Sequence, residues 1–218
     1  MKLEILFIQS DKDFTPEDKV TLRALIEEHA EKAAAALPFT QSVLTLTVYP
    51  WIKKGSSAFT KTRDWIRIML NPEELSGQKR EQTLNQLIYM LYHEMHHACR
   101  GYAGYLGTEH ILIGSMISEG MADYFVREHY PSEHVLQTTS FDLAEIAPFL
   151  ERLDAIKMER ESDHEEWMYG DEEKPRLFGY KVGRYLMQRV FVAHPEQNAV
   201  RLLTAGIDDV LKLSGSLL

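Results

Sequence analysis

The sequence predicts an α+β chain, and three observations carry that prediction. Outside one helical stretch over 16–37, apolar residues in 1–72 fall into short, β-branched runs, whereas from residue 78 onward they recur at steps of three and four. No internal repeat, flexible Gly/Ser linker or break in composition separates the two parts. The simplest organisation is therefore one domain over 1–218, β-rich over 1–72 and helical over 78–218. With 218 residues, 44% hydrophobic and 26% charged, the chain is long enough to bury a sizeable core.

Each element has its own signal. Residues 2–9 are short and apolar and read as a strand. Pro16 to Leu37 carries Val20, Leu22, Leu25 and Ile26 at helical intervals before an Ala-rich end. Residues 43–49 alternate and are β-branched, giving a second strand that stops at Pro50. A loop holding Gly55, Ser56 and Ser57 follows, and 65–70 reads as a third strand ended by Asn71-Pro72. From Glu81, the residues Leu84, Leu87, Ile88, Leu91, Met95 and Ala98 define one buried helical stripe that should end near Gly101. Thr108 is the expected N-cap of a helix from Glu109 to His129, stopped by Pro131. Further helices are expected over 141–157, 177–193 and 197–213, with the acidic stretch Glu161 to Glu173 as a loop.

Composition narrows the partners. Lys and Arg total 24 against 33 Asp and Glu, a net charge of −9 with no dense basic block, which disfavours nucleic acid and anionic membrane. No apolar run approaches the roughly 20 residues that cross a bilayer. The opening residues are interrupted by Glu4 and followed by Asp11 and Asp13, a strand pattern rather than a signal peptide. The single cysteine, Cys99, suits a reducing compartment, so a cytoplasmic location is expected.

The chemistry is concentrated in His93-Glu94-Met95-His96-His97, an H-E-x-x-H pattern on the predicted helix. At about 100° per residue, His93 and His97 leave the helix about 40° apart and one turn from each other, so both imidazoles can grip one metal ion. Glu94 lies about 60° further round, beside the ion, where its carboxylate can take a proton from a metal-activated water. A catalytic zinc needs a third protein ligand and an open fourth position. Glu119, on the next predicted helix, supplies that ligand, and Asp123 shares its face four residues on, able to accept from a ligand histidine's outer nitrogen. Gly120 costs a helix roughly 1 kcal/mol, which points to another backbone approaching closely beside Glu119.

The pairing of HExxH with ExxxD one helix later resembles the gluzincin metallopeptidases, the thermolysin-like zinc enzymes. The wider wording comprises His93-Glu-Met-His-His-Ala-Cys-Arg, Ile117-Ser-Glu-Gly-Met-Ala-Asp-Tyr-Phe, Trp167-Met-Tyr-Gly and Gly179-Tyr-Lys-Val-Gly. It is similar to a family of small proteins catalogued as predicted zinc-dependent proteases. The resemblance spans roughly residues 45 to 195. It implies a zincin-like fold: a small N-terminal mixed sheet with an edge strand beside the metal helix, then a mainly helical part. It also implies one Zn²⁺ per chain held by His93, His97 and Glu119, with Glu94 as general base and Asp123 behind the ligands. The sequence departs from thermolysin itself in lacking the large helical C-terminal domain and its histidine motif, which leaves the oxyanion donor open.

Tyr180, in the segment resembling the family's Gly-Tyr element, is the first candidate for that donor, with Tyr185 and Arg184 as alternatives on the same predicted helix. By the same resemblance residues 65–70 take the place of the edge strand that pairs with an extended peptide, and the loops Gly55 to Thr60 and 161–173 border the cleft. The expected substrate is a peptide or flexible protein segment. Two other readings stay open: a zinc-binding protein without peptidase activity, and a metal-dependent hydrolase of a non-peptide amide or ester. Cobalt or manganese could occupy the same ligands. Among the remaining candidates, His96 points about 100° from His97 and is expected behind the ligands or facing solvent. Cys99 is expected as a small core residue, His110, His129, His134 and His194 as structural or exposed, and His164 as a residue able to reach the site.

Overall fold

The computed structural model describes residues 1–53, 55–101, 111–159 and 163–215, which divide into two compact units. The first comprises Met1–Leu106 with His129–His134, and the second Gly107–Glu128 with Val135–Leu218. No helix among the described residues is long and apolar enough to cross a membrane.

The first unit is built on four strands: β1 (Lys2–Phe7), β2 (Val43–Pro50), β3 (Ser57–Thr62) and β4 (Trp65–Leu70), in the spatial order β1-β2-β4-β3. β1 and β4 run parallel to β2, and β3 runs antiparallel to β4, so the sheet is mixed as expected. Helix α1 (Pro16–Ala36) connects β1 to β2, the crossover that parallel neighbours require. It opens with a reciprocal cap in which Thr15 Oγ1 accepts from the Asp18 N–H at 3.1 Å and Asp18 Oδ2 accepts from the Thr15 N–H at 3.3 Å. Leu44, Leu46, Val48, Ile66, Ile68 and Leu70 alternate onto one sheet face and are fully buried. Helix α2 (Arg80–Arg100) packs against α1, β3 and β4 and is buried without interruption from Leu87 to Ala98.

One expectation is corrected here. Residues 65–70 do form a strand, but an interior one between β2 and β3; the edge strand beside the metal helix is β3, where the sequence reads as a loop from Gly55 to Thr60. Ser57-Ala-Phe-Thr-Lys-Thr has no fully apolar face and follows Gly-Ser-Ser, so neither β-propensity nor alternation marks it. An edge strand with one flank unpaired tolerates such polarity.

The second unit is helical: α3 (Leu112–His129), α4 (Glu133–Thr138), α5 (Leu143–Ile146), α6 (Leu150–Ile156), α7 (His164–Tyr169), α8 (Phe178–Ala193) and α9 (Ile207–Ser214), the end of α3 and start of α4 belonging to the first unit. Its core gathers Leu112, Met116, Met121, Trp167, Phe178 and Val182. The predicted helix 141–157 is broken into α5, a 3-10 turn at Ala147–Phe149 and α6, because Pro148 cannot continue an α-helical ladder. The predicted helix 197–213 is confined to Ile207–Ser214, and the acidic stretch holds the short helix α7. The expected Thr108 cap, with Glu109 and His110, lies outside the described residues, as do Glu161 and Ser162.

Candidate metal centre and active site

Helix α2 ends at Gly101, whose φ of +83° lets its N–H turn back to the carbonyls of His97 and Ala98 at 2.9 and 3.2 Å. That positive φ is what favours glycine here; a side chain would also displace the Arg63 guanidinium. Upstream of this cap, His93 and His97 are buried and their Nε2 atoms stand 3.0 Å apart. Two nitrogens each about 2.0–2.1 Å from one tetrahedral ion are about 3.3 Å apart, so the pair is within a few tenths of an ångström of a bidentate grip. Without an ion, one ring donates to the other, and metal binding requires both nitrogens as acceptors.

Glu94 is buried on the same helix and is tied to the sheet edge. Its Oε2 accepts from the Thr60 backbone N–H at 2.7 Å and from the Thr60 hydroxyl at 2.9 Å. Thr60 escaped the sequence reading, because only the edge position of β3 brings it to α2. His96 is fully buried, which excludes the solvent-facing alternative; its ring centroid is 6.3 Å from that of His97. Cys99 is half-buried, and burial pushes its thiol up to about 11, so it stays protonated at neutral pH rather than acting as a thiolate.

The second unit carries Glu119 and Asp123, both buried, one turn apart on α3. Two contacts flank Glu119 along that helix. One turn earlier, buried Ser115 pairs through Oγ with His164 Nε2 at 3.0 Å. One turn later, Asp123 Oδ2 accepts from Arg184 Nε at 2.5 Å, an ion pair with side chains 0% and 3% exposed; Arg184 also donates to the Ser140 carbonyl at 3.2 Å. Asp123 is thus engaged by a guanidinium, a partner no local pattern announces across 61 residues.

Gly120 fulfils its expectation. A Cβ built on it would stand 2.3 Å from the Gly183 carbonyl, and one on Gly183 would stand 1.9 Å from the Met116 carbonyl oxygen. The two glycines let α3 and α8 touch backbone to backbone, which fixes Glu119 and Asp123 on a helix that cannot slide. Tyr180, half-buried in the first turn of α8, lies 6.3 Å from the Tyr169 ring. The Tyr185 hydroxyl accepts from Arg189 at 3.1 Å. His134 pairs with Gln86 at 2.9 Å and His194 lies 3.6 Å from Glu196, structural roles as expected. Burial lowers the pKa of both His129 and His134.

A buried helix carrying two converging imidazoles and an adjacent carboxylate, packed on the edge of a mixed sheet, has the donors and neighbouring base that a catalytic zinc site uses. The chain belongs to the family described as Predicted Zn-dependent protease (DUF2268), whose model matches residues 47–212. Zinc is accordingly its cofactor, and the convergent imidazole pair fits that metal. No curated protein matches the chain. Among solved structures, it is similar to an aminopeptidase N family protein from Idiomarina loihiensis, with 10% identity and a TM-score of 0.49. That likeness covers 98% of this chain and 40% of the other, so this chain spans about two fifths of its length.

Proposed function

We propose that this chain is a gluzincin-type peptidase that hydrolyses peptide bonds in short peptides or flexible protein segments. Its zinc is held by His93, His97 and Glu119, each of which offers one buried ligand atom. The observation that carries the reading is the 3.0 Å convergence of the two imidazole nitrogens one residue from a buried, anchored carboxylate. A structural zinc site would close its fourth position with another Cys or His, whereas Glu94 suits a site that does chemistry.

Zinc, when bound, acts as a Lewis acid that acidifies water and polarises a carbonyl. Glu94 accepts the proton of the attacking water and delivers it to the leaving amine, so no covalent acyl intermediate forms. Asp123, clamped by Arg184, supports the ligand set from behind. Tyr180 is the proposed donor to the developing oxyanion. Tyr185 and Arg184 are the alternatives on the same helix. A single cysteine held as a thiol fits a cytoplasmic setting.

The test is elemental analysis of chelator-treated, zinc-reconstituted protein beside Glu119→Ala, followed by a peptide-library screen. One zinc per wild-type chain, strongly weakened binding in the variant, and cleavage by wild type are the expected results. Unchanged affinity in Glu119→Ala removes that residue as a ligand. Zinc binding without cleavage of any peptide leaves a zinc-binding protein and overturns the peptidase reading.

A further inference from the structure

The proposed general base is not held by its own helix alone. Both hydrogen bonds that Glu94 accepts on its carboxylate fall on one oxygen, Oε2, and both come from one residue, Thr60. Oε1 accepts none from the described residues. The Thr60 hydroxyl also lies 2.8 Å from the Glu94 main-chain carbonyl, and its single proton serves one of these acceptors at a time. Thr60 is 2% exposed, so bulk water does not readily replace the hydroxyl.

We infer that Thr60 is a positioning residue for Glu94: by pinning Oε2 to the edge strand it reserves Oε1 for the attacking water. The inference deepens the peptidase reading and rests on it. Its physical basis is the softness of a carboxylate's last torsion, which is broad and roughly two-fold, so the helix alone does not choose which oxygen meets the water. The Thr60 N–H on Oε2, joined by the hydroxyl when its proton turns to that oxygen, fixes the orientation of the carboxylate. The strand is shaped for the task. The antiparallel register shifts between Thr60, opposite Ile66, and Thr62, opposite Trp65, an irregularity of the kind that re-aims groups next to active sites. The Thr60 N–H points to Glu94 and therefore away from β4. Any residue at this position supplies that N–H. Only Ser or Thr adds the short hydroxyl, and the branched Cβ of Thr restricts its rotamer.

The experiment uses the zinc-reconstituted full chain with Thr60→Val, Thr60→Ser and Glu94→Gln. For Thr60→Val the expected result is a kcat about tenfold lower with KM and zinc content unchanged, since small misplacements of a catalytic group cost factors of up to about a hundred. Thr60→Ser, which restores the hydroxyl without the methyl, is expected to recover kcat to within about threefold of wild type. Equal kcat in Thr60→Val, or a Thr60→Ser variant as slow as Thr60→Val, overturns the inference while leaving the peptidase reading intact. A wild-type chain that binds zinc and cleaves no peptide overturns the reading itself. A readout independent of turnover is the Thr60 amide in NMR spectra of the metal-free protein. Donating to a carboxylate, it is expected far downfield, and to move upfield in Glu94→Gln. An unmoved resonance overturns the contact. That comparison needs no variant at Thr60, so it decides the contact even if Thr60→Val fails to fold.

Discussion

The two halves of the candidate centre are secured by opposite means. The half on α2 is held by directional bonds: the histidine pair at 3.0 Å and the two Thr60 donors on Glu94. The half on α3 is held by contact. Gly120 and Gly183 bring two helix backbones together with no room for a methyl group, and a buried Asp123–Arg184 pair locks the next turn. A hydrogen-bonded arrangement can keep its shape when an isostere that still bonds replaces one member, with the loss appearing in chemistry. A close-packed one transmits any added or missing atom into the fold. Substitutions in the first half should therefore reduce turnover at nearly constant stability, and those in the second should reduce stability first.

The largest separation of the two is expected from Glu94→Gln. The amide keeps the size and can still accept from Thr60 but cannot take a proton, so turnover should fall about a thousandfold. Zinc content and melting temperature should stay at wild-type values. Residual turnover within tenfold of wild type would remove Glu94 as the base, and a large loss of stability would break the proposed contrast.

Arg184→Ala should do the reverse. It leaves Asp123 charged, fully buried and without its guanidinium, a change that costs about 3–5 kcal/mol. In a chain of this size that lowers the melting temperature by about 10 °C or more. The double change Asp123→Leu with Arg184→Met tests the cause, because replacing both charges by apolar groups of similar volume should recover most of the stability. Failure to recover would assign the cost to lost packing rather than to loss of the ion pair. Gly183→Ala probes the same seam by overpacking. Its methyl group cannot coexist with the Met116 carbonyl oxygen, and a loss of about 1–3 kcal/mol in denaturant unfolding is expected. A neutral outcome would mean that α3 and α8 can separate, and that Glu119 is less rigidly placed than the backbone contact implies.

What was legible in the sequence follows the same division. The two metal-helix patterns are local, and so is the mid-helix glycine; each is read from spacing within one turn or two, and the helices and the Gly120 contact stand where those signals put them. What failed depends on distant partners. β3 reads as a loop because Ser57-Ala-Phe-Thr-Lys-Thr becomes a strand only through its ladder with β4, and Thr60 gains its role only when that strand lies along α2. The Arg184–Asp123 pair joins residues far apart in sequence. Helix α7 hides in an acidic stretch because its buried residues, Trp167 and Met168, are adjacent and too few to show a helical period. The break at Pro148 is readable from the proline alone, which cannot continue an α-helical ladder.

The smallest expected effect concerns the acid sensitivity of the sheet-bearing unit. Burial lowers the pKa of His29, His129 and His134, which belong to the sheet-bearing unit. His29 is the clearest case. It is 8% exposed, set edge-on to Tyr92 and Tyr130, and its Nδ1 has no hydrogen-bond partner. Burial is the main cause of its lowered pKa, with Lys32 adding to it and Glu28 opposing. The folded chain therefore keeps His29 neutral where the unfolded chain, titrating near 6.5, already binds a proton. Stability is full above that value and declines as pH falls from 6.5 through the lowered folded pKa. Melting temperatures measured between pH 7.5 and about 5.5, above the main carboxylate range, should fall with acid, and His29→Phe should make that slope shallower. The substitution keeps an aromatic edge against the two tyrosines and removes only the titrating group. Parallel slopes in the two proteins would show that His29 is protonated without penalty in the fold, and the acid response would then originate at other groups.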